Sequence, residues 1–380
     1  MIKPTAFQWS AANFFGYYCA YGVVLPFLPV WLKSVGYDTE IIGLLLSLGY
    51  LFRFSGGLFF SSRIKQLNQL IPMSRKLAWG SLFAVVLMGF AADSFWLLFP
   101  AFGLFHLLNG AGIPMSDTIA SSWQQQQGMD YAKARLCGSL AFVVGALLTG
   151  YIVGFSGESV ILMILSATLL AFCMVQMLSP RVGFEEVKQK QAASTSYWAV
   201  FKQPTTAKML IIASLVQASH AAYYAYGSIY WQSIGISTQI TSCLWGIAVI
   251  AEMGLFFIAK RIFGTQPLAR LMLLSAIGTI IRWIIIANSE SLPLIVFSQL
   301  LHACSYALNH YAIIRYISTQ PSDHIPKLQG LYFGLASCAV MALFTLLAGF
   351  VYNDSPTNSF YLMAILVVPS FFLLPKKRTA

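Results

Sequence analysis

Apolar runs long enough to cross a lipid bilayer recur from one end of the sequence to the other. Inside a bilayer every backbone polar group needs a partner within the chain, and runs of about 20 apolar residues supply those partners as helices. Only 9% of the residues are charged, whereas soluble domains carry about 25%. The sequence therefore predicts an all-α membrane protein with no sizeable soluble domain.

The apolar runs fall into two sets of six on either side of the longest polar stretch. We interpret this stretch, residues 181–205, as a cytoplasmic linker between an N-terminal six-helix bundle over 1–180 and a C-terminal six-helix bundle over 206–380. At about 20 residues per span, the twelve predicted transmembrane helices cover approximately 11–32, 40–62, 74–92, 95–121, 134–154, 158–178, 206–234, 238–262, 268–288, 291–318, 326–352 and 358–375.

The distribution of Lys and Arg tests this count, because basic residues gather in cytoplasmic loops. Eighteen of them fall in one alternate set of loops and termini, and only Lys33 falls in the opposite set. We therefore expect an even number of spans with both termini in the cytoplasm. Because these dispersed clusters account for the net charge of +11, no nucleic-acid partner is expected.

A short internal repeat supports the division into two halves. The segment SVGYDTEII at 34–42 lines up with SIGISTQIT at 233–241, and the tyrosine-rich segments YYCAYG from Tyr17 and YYAYG from Tyr223 precede them. Both pairs stand where the first helix of a half meets the second, in the same orientation. This is the pattern of parallel repeats related by an axis along the membrane normal.

Ionisable side chains inside the predicted spans are the candidate functional residues. Each costs roughly 2.5–3.5 kcal/mol near the bilayer centre, so it needs a partner, a watery cavity or a function. Asp117 and Arg135 lie on consecutive antiparallel helices and can meet across one interface. They form either a structural ion pair or a pair that exchanges its partner for substrate during transport.

A second group lies in the C-terminal half, where Glu252, Arg282 and His302 fall on three successive helices. An acid, a base and an imidazole together can form a proton relay or a static network. The nearby aromatic run, which includes Tyr223 and Tyr224, serves helix packing, an interface belt or the stacking of a substrate ring.

Proteins of other classes would carry signatures that this sequence lacks. It contains no HExxH, GxSxG, Walker or cofactor-binding motif, and its six cysteines show neither CxxC nor zinc spacing. We therefore expect neither an enzyme nor a primary pump, and no metal or cofactor. The alternative class is a membrane-embedded enzyme or a sensor that binds without translocating. Accumulation of ligand in sealed vesicles would distinguish a transporter from it.

Four segments carry a family resemblance: LPFLPVWLKSVG at 25–36, DYAKARLCGSLAFV at 130–143, HAAYYAYGSIYW at 220–231 and RYI at 315–317. On these segments the chain resembles the phenylpropionate permease group of the major facilitator superfamily, which is related to the oligosaccharide:proton symporters. The resemblance covers nearly the whole chain. It implies a fold of twelve transmembrane helices in two halves, and secondary transport by alternating access across a bacterial inner membrane.

The resemblance also implies site residues. In the sugar symporters an acid on helix 4 and an arginine on helix 5 bind substrate, and Asp117 and Arg135 match them. Glu252, Arg282 and His302 match an acid, an arginine and a histidine on helices 8, 9 and 10 that serve sugar binding and proton coupling. All five residues are therefore expected at the transport site.

One position departs from the symporters. Their proton-releasing glutamate follows the matched histidine by one helical turn, where this sequence has Ser305. The proton must then be carried by another group. We expect Glu252 or Asp117 in that role, with His302 taking part in the coupling.

The expected substrate follows from the resemblance to the phenylpropionate permease group, and the same residues are compatible with it. An aromatic carboxylate needs a cation for its charge and aromatic or apolar walls for its ring, which Arg135, Arg282 and the tyrosine run can supply. We expect proton-coupled import of an aromatic carboxylic acid such as 3-phenylpropionate, with Tyr223 and Tyr224 contacting the substrate. A sugar or nucleoside symporter is the alternative. The expected partners are a small-molecule substrate, the proton and membrane lipid, and we expect a monomer.

Overall fold

The computed structural model describes residues 3–185 and 196–375, which form helices joined by short loops, with no strand among them. The helices are α1 (Ala6–Ser34), α2 (Thr39–Arg63), α3 (Leu70–Phe90), α4 (Phe95–Gly110), α5 (Gly112–Gln127), α6 (Tyr131–Ser156), α7 (Ile161–Gln176), α8 (Tyr197–Phe201), α9 (Pro204–Ala218), α10 (Ala221–Ser233), α11 (Thr238–Phe263), α12 (Leu268–Asn288), α13 (Leu292–Leu300), α14 (Asn309–Ser318), α15 (Ile325–Tyr332), α16 (Val340–Asp354), α17 (Pro356–Val367) and α18 (Ser370–Leu373). The π-helical turns Ala303–Leu308 and Phe333–Ala339 follow α13 and α15.

Capping side chains fix where two of the functionally important helices begin. At the start of α1 the Thr5 hydroxyl accepts from the Gln8 backbone N–H at 3.2 Å, and the Gln8 side chain accepts from the Thr5 N–H at 3.0 Å. At the start of α6 the Asp130 carboxylate accepts from the Lys133 N–H at 3.0 Å. These bonds satisfy N–H groups that a helix leaves unpaired at its first turn. They therefore define the first turns of α1 and α6, and α6 carries Arg135.

Eleven segments of the described residues are long and apolar enough to cross a membrane. Four of them contain two successive helices: Phe95–Gln127, Leu292–Ser318, Ile325–Asp354 and Pro356–Leu373. The predicted helix over 206–234 is divided into α9 and α10, each shorter than a full span. The structure thus confirms the all-helical membrane fold with eleven of the predicted spans, whereas the span predicted over 206–234 is divided into two shorter helices.

The division between α9 and α10 has a local cause. The Ser219 hydroxyl donates to the carbonyl oxygen of Val216 at 2.8 Å. Nδ1 of His220 lies 3.2 Å from the Val216 oxygen and 3.1 Å from that of Gln217. Side chains that bond nearby carbonyls compete with the helical hydrogen-bond ladder. The apolar run therefore continues through this segment while the helix is interrupted.

The two aligned repeat segments share a backbone turn. Gly36 has φ 98° and Gly235 has φ 85°, so both adopt the left-handed region that a side chain disfavours. Gly36 stands between α1 and α2, and Gly235 stands between α10 and α11. The repeat in the sequence thus corresponds to the same helix ending at two places in the chain.

The chain divides into two compact units, called here the first and the second unit. The first unit comprises Met1–Asp38, Leu48–Gln189 and Gly235–Cys243. The second unit comprises Thr39–Ser47, Lys190–Ile234 and Leu244–Ala380. Within the predicted linker 181–205, residues 186–195 lie outside the described part of the chain, and Tyr197–Phe201 forms α8.

Each unit has its own packing. In the first unit α1 lies along α6 and α7, and α3 packs against α4 and α7. In the second unit α12 packs against α17 and against the π-helical turn after α13, and buried apolar side chains join α9, α12 and α14. The predicted charged residues therefore fall into two separate settings, one in each unit.

Candidate functional site

The first candidate pair lies in the first unit, on α5 and α6. Nε of Arg135 lies 3.7 Å from Oδ1 of Asp117, and Tyr131 donates a hydrogen bond of 3.0 Å to the same oxygen. The Arg135 side chain is 31% exposed and the Asp117 side chain 37%. The structure therefore brings the two predicted residues together in a loose, partly exposed contact.

Aromatic rings surround the guanidinium of Arg135. It donates a hydrogen bond of 2.5 Å to the hydroxyl of Tyr18, whose ring centroid lies 4.3 Å from its Cζ. The Phe14 ring centroid lies 5.5 Å from the same atom, and Phe14 meets Tyr131 edge to face at 6.3 Å. A guanidinium within about 6 Å of a ring face is attracted by the π electrons. Arg135 is thus a cation held among aromatic walls.

The residues around Arg135 include three that the sequence reasoning does not single out: Tyr18, Tyr131 and Phe14. A signal for Phe14 and Tyr18 exists on α1, where Phe14, Tyr17, Tyr18 and Tyr21 recur at helical spacing and form what we call the aromatic face of α1. Such a face is also typical of ordinary helix packing. Only the structure shows that it lies against a cation.

A second arginine of the first unit lies beside the same aromatic face. Arg53 on α2 is buried, its Nη1 donates to Oδ1 of Asn109 at 3.3 Å, and its Cζ lies 5.2 Å from the Tyr21 ring centroid. The Tyr17 hydroxyl donates to the same oxygen of Asn109 at 2.9 Å. Close packing makes this possible, because a Cβ at Gly110 would lie 2.5 Å from Cα of Arg53. Arg53 is therefore held in a tight junction of α1, α2 and α4.

The guanidinium of Arg282 in the second unit is buried more completely than that of Arg135 in the first. Arg282 on α12 is 0% exposed. Its Nη1 lies 2.8 Å from Nδ1 of His302 and 3.2 Å from Oγ of Ser305, and its Nη2 lies 3.1 Å from Oε1 of Gln299. Its Cζ stands 4.5 Å from the Tyr223 ring centroid. A buried cation requires such partners, since the free-energy cost of moving it out of water would otherwise be too large.

His302 connects Arg282 with Glu252. A guanidinium only donates hydrogen bonds, so Nδ1 of His302 accepts and the ring proton is assigned to Nε2. That nitrogen lies 3.6 Å from Oε2 of Glu252, whose side chain is 20% exposed. The structure therefore brings the three predicted residues into one cluster, with the imidazole between the arginine and the acid.

Ser305, which stands where the sugar symporters have a glutamate, completes this cluster. Nδ1 of His220 faces the carbonyls of Val216 and Gln217, which only accept, so Nδ1 carries the ring proton. Nε2 of His220 then accepts from the Ser305 hydroxyl at 3.0 Å, while the hydroxyl oxygen accepts from Arg282. The serine links the arginine to a neutral histidine in a chain of hydrogen bonds.

The two predicted substrate-contacting tyrosines lie at this cluster. Tyr223 is 1% exposed and stacks on Trp245 with ring centroids 4.3 Å apart, so it is part of the buried wall beneath Arg282. Tyr224 is half-buried, and its ring centroid lies 5.6 Å from that of His220. Their contact with a substrate stays a prediction.

The candidate residues thus form an open cluster around Arg135 in the first unit and a closed cluster around Arg282 in the second. Among residues 3–185 and 196–375, no group of three or more His, Cys, Asp or Glu side chains could hold a metal ion. What the two clusters offer chemically is therefore cations, carboxyl groups, imidazoles and aromatic surfaces.

Comparisons with known proteins identify the relatives of this chain. Residues 8–363 match the sequence profile of the MFS_1 like family. The chain is 34% identical over 370 residues to the probable 3-phenylpropionic acid transporter of Escherichia coli (strain K12), with 97% of each chain covered. It is 22% identical over 393 residues to the maltose permease of Geobacillus stearothermophilus, covering 99% of this chain and 98% of that one.

Solved structures show the same fold. The nucleoside transporter NupG superposes with a TM-score of 0.80 at 14% sequence identity, over 97% of each chain. A peptide transporter of the POT family, PepTSo, superposes with a TM-score of 0.78 at 9% identity, over 98% of this chain and 97% of that one. These likenesses and the family match confirm the resemblance drawn from the sequence.

Proposed function

The chain belongs to the MFS_1 like family, and from this membership we propose that it imports an aromatic carboxylic acid, such as 3-phenylpropionate, together with protons. The family and the relatives are transporters, which take a small-molecule substrate, and the many apolar helices make the chain a multi-pass membrane protein. The relative that covers 97% of this chain is named a probable 3-phenylpropionic acid transporter, which supports the proposed substrate.

The observation that carries the proposal is the setting of Arg135. A carboxylate is recognised by charge-assisted hydrogen bonds from a guanidinium, and an aromatic ring by contact with other rings. Arg135 lies against Tyr18 and Phe14, and its contact with Asp117 is loose at 3.7 Å. In our proposal the substrate carboxylate replaces Asp117 on the guanidinium, and the substrate ring packs against the aromatic face of α1.

Proton coupling is proposed because of the charge balance. One carboxylate carried with one proton moves no net charge, so the pH gradient drives import, and a second proton would add roughly 2.3 kcal/mol per 100 mV of membrane potential. When the substrate displaces Asp117, a proton neutralises the acid that Arg135 no longer balances. Glu252 beside His302 is the other candidate carrier.

The proposed transport cycle uses the organisation expected from the sequence. We propose that the halves 1–180 and 206–380, joined by the linker 181–205, alternate access to the two sides of a bacterial inner membrane. The alternation of basic loops supports cytoplasmic N- and C-termini. We propose that a monomer suffices, since both candidate clusters are formed by residues of one chain.

The experiment that tests this function is uptake of radiolabelled 3-phenylpropionate into proteoliposomes, with and without an inward proton gradient. The native chain should accumulate the label only with the gradient. Arg135→Gln should raise KM at least about tenfold, since it removes charge-assisted hydrogen bonds worth roughly 1.5–3 kcal/mol each. Arg270→Gln is the matched control, because this exposed arginine bonds Gln266 at 2.9 Å outside both clusters. Equal uptake by both variants would refute the role of Arg135.

A sugar or nucleoside symporter is the second candidate, and one observation favours it. The maltose permease aligns with 99% of this chain. The resemblance to the sugar symporters also implies that Asp117 and Arg135 match their substrate-binding acid and arginine. A counterflow panel of labelled aromatic acids, sugars and nucleosides separates the two functions. Uptake of sugars or nucleosides alone would overturn the assignment to aromatic acids.

A further inference from the structure

A column of three rings leads from the closed cluster of the second unit through the π-helical turn Ala303–Leu308 into α14. The rings of His302 and Tyr306 lie 5.1 Å apart at 18°, and those of Tyr306 and His310 lie 6.3 Å apart at 8°. The π-helical turn Ala303–Leu308 carries the chain between them. Such turns are frequent at functional sites because they re-aim side chains along a helix. His310 is thus an imidazole on the same side of the helix as His302, two turns further along.

The two histidines of the closed cluster hold their protons in fixed positions. His302 accepts from Arg282 at Nδ1, so a proton placed there would break that hydrogen bond. His220 uses Nδ1 to donate to carbonyls, and its Nε2 faces Ser305, which itself accepts from Arg282. A second proton on either ring would set a positive charge beside a buried guanidinium. Neither ring is suited to take up and release a proton in each cycle.

His310 has a partner that accommodates both of its protonation states. Its Nδ1 lies 3.3 Å from the hydroxyl of Tyr332 on α15. A hydroxyl can donate or accept. It donates to the neutral ring and accepts from the imidazolium, so the hydrogen bond survives the gain or loss of a proton. Imidazole is also the side chain whose ordinary pKa lies closest to physiological pH.

Two further elements contribute the surroundings of His310, namely α11 and the turn that precedes α14. Phe256 on α11 meets the His310 ring edge to face at 6.1 Å, and Glu252 and Lys260 lie one helical turn to either side of Phe256. Tyr306 covers the ring from the preceding turn of its own segment. The side chain of His310 is half-buried. His310 therefore contacts α11 one helical turn beyond Glu252, at Phe256.

We propose that His310, hydrogen bonded to Tyr332, receives the proton from Glu252 and releases it on the cytoplasmic side. The inference rests on the proposed proton coupling and on the proposed orientation of the chain. In this step the O–H bond of the Glu252 carboxyl breaks and an N–H bond forms on the His310 ring, with water as the carrier between them. The imidazolium then gives the proton to cytoplasmic water and returns to neutral.

Two transport assays on one variant test this role. In proteoliposomes, His310→Asn should lower gradient-driven accumulation of labelled 3-phenylpropionate at least about tenfold. Equilibrium exchange of the same label, which needs no net proton release, should stay within about twofold of the native rate. The matched control is His324→Asn, because this histidine lies 3.7 Å from Asp323 and outside the column. Native-like accumulation by His310→Asn would overturn the proposal, as would a loss of exchange together with accumulation.

A measurement on the native chain stays decisive if the variant misfolds or if 3-phenylpropionate is not transported. The chain is labelled with ¹⁵N-histidine in lipid nanodiscs, and the ring nitrogens are followed from pH 5 to 8. His310 should titrate in this range, whereas His220 and His302 should each keep one tautomer. A His310 ring that keeps one tautomer throughout would refute its role as a release site. Failure of the native chain to take up the label in the transport assay would instead refute the proposed function.

Discussion

Two buried serines of the second unit allow the substitution of Ser by Ala to be compared at a hydroxyl that is hydrogen bonded and at one that is not. Ser305 and Ser275 are both 0% exposed. The Ser305 hydroxyl bonds His220 at 3.0 Å and Arg282 at 3.2 Å, whereas the Ser275 hydroxyl has no hydrogen-bond partner among the described residues. Ser305→Ala should therefore destabilise the protein, and Ser275→Ala should not.

The expected magnitudes follow from what each substitution leaves behind. Ser305→Ala leaves Nε2 of His220 unpaired and removes one of the acceptors of Arg282, at about 1–3 kcal/mol for each buried group. Because Arg282 keeps His302 and Gln299, the expected loss is about 2–4 kcal/mol in the free energy of unfolding. Ser275→Ala removes a buried hydroxyl that makes no hydrogen bond among the described residues, so the free-energy cost of burying it is removed as well. Its expected effect lies between neutral and a gain of about 1 kcal/mol.

The assay is the apparent unfolding temperature of purified protein in detergent, measured at one scan rate because unfolding of such proteins is commonly irreversible. For a unit of 150–250 residues, 1 kcal/mol corresponds to a shift of about 2–4 °C. Ser305→Ala should therefore lower the temperature by about 4 °C or more, while Ser275→Ala leaves it unchanged or raises it. Equal shifts in the two variants would refute the hydrogen-bond chain through Ser305.

Two further predictions concern the first unit. Gly110→Ala should abolish folded expression, because the added Cβ would lie 2.5 Å from Cα of Arg53. Gly89→Ala is the control and should be tolerated, because the nearest atom to its added Cβ lies at 3.9 Å. Size-exclusion chromatography of fluorescent fusions compares the two variants, and equal elution profiles would contradict the close packing at Gly110. The backbone N–H of Lys133 holds the pKa of the Asp130 carboxyl below its usual range. The ionised Asp130 carboxylate therefore stabilises the start of α6 at neutral pH, and this stabilisation is lost as the pH falls through the lowered pKa. Asp130→Ala should lower the apparent unfolding temperature at pH 7 but hardly at about pH 2, and an equal drop at both would show that the cap is not the cause.

The meeting of Asp117 and Arg135 could be predicted from the sequence because of a strong energetic constraint. Both lie in apolar helices on either side of a short loop, and an ionisable group in a bilayer needs a partner. The structure places them 3.7 Å apart. The all-helical fold was predictable for the same reason, since long apolar runs leave the backbone few alternatives.

The break between α9 and α10 could not be predicted from hydropathy. It depends on Ser219 and His220 bonding carbonyls of the preceding turn, which does not change how apolar the segment is. The contact of Tyr18 and Tyr131 with the charged pair was equally hidden. It depends on how α1 and α6 are rotated about their own axes, which side-chain packing decides and spacing in the sequence leaves open.

The two clusters differ in how far their arginine is buried, and this difference bears on their roles. Arg282 is 0% exposed, and moving it would leave the buried acceptors of His302, Ser305 and Gln299 unpaired. Arg135 is 31% exposed and lies 3.7 Å from its acid. A substrate that is released in every cycle needs a site where the interactions it forms are close in energy to those it replaces, since only the difference is expressed as affinity. The loose pair of Arg135 and Asp117 allows such an exchange, whereas the buried hydrogen-bond network of Arg282 does not. The geometry therefore favours substrate exchange at Arg135, with Arg282 keeping the protons of its neighbouring histidines in place.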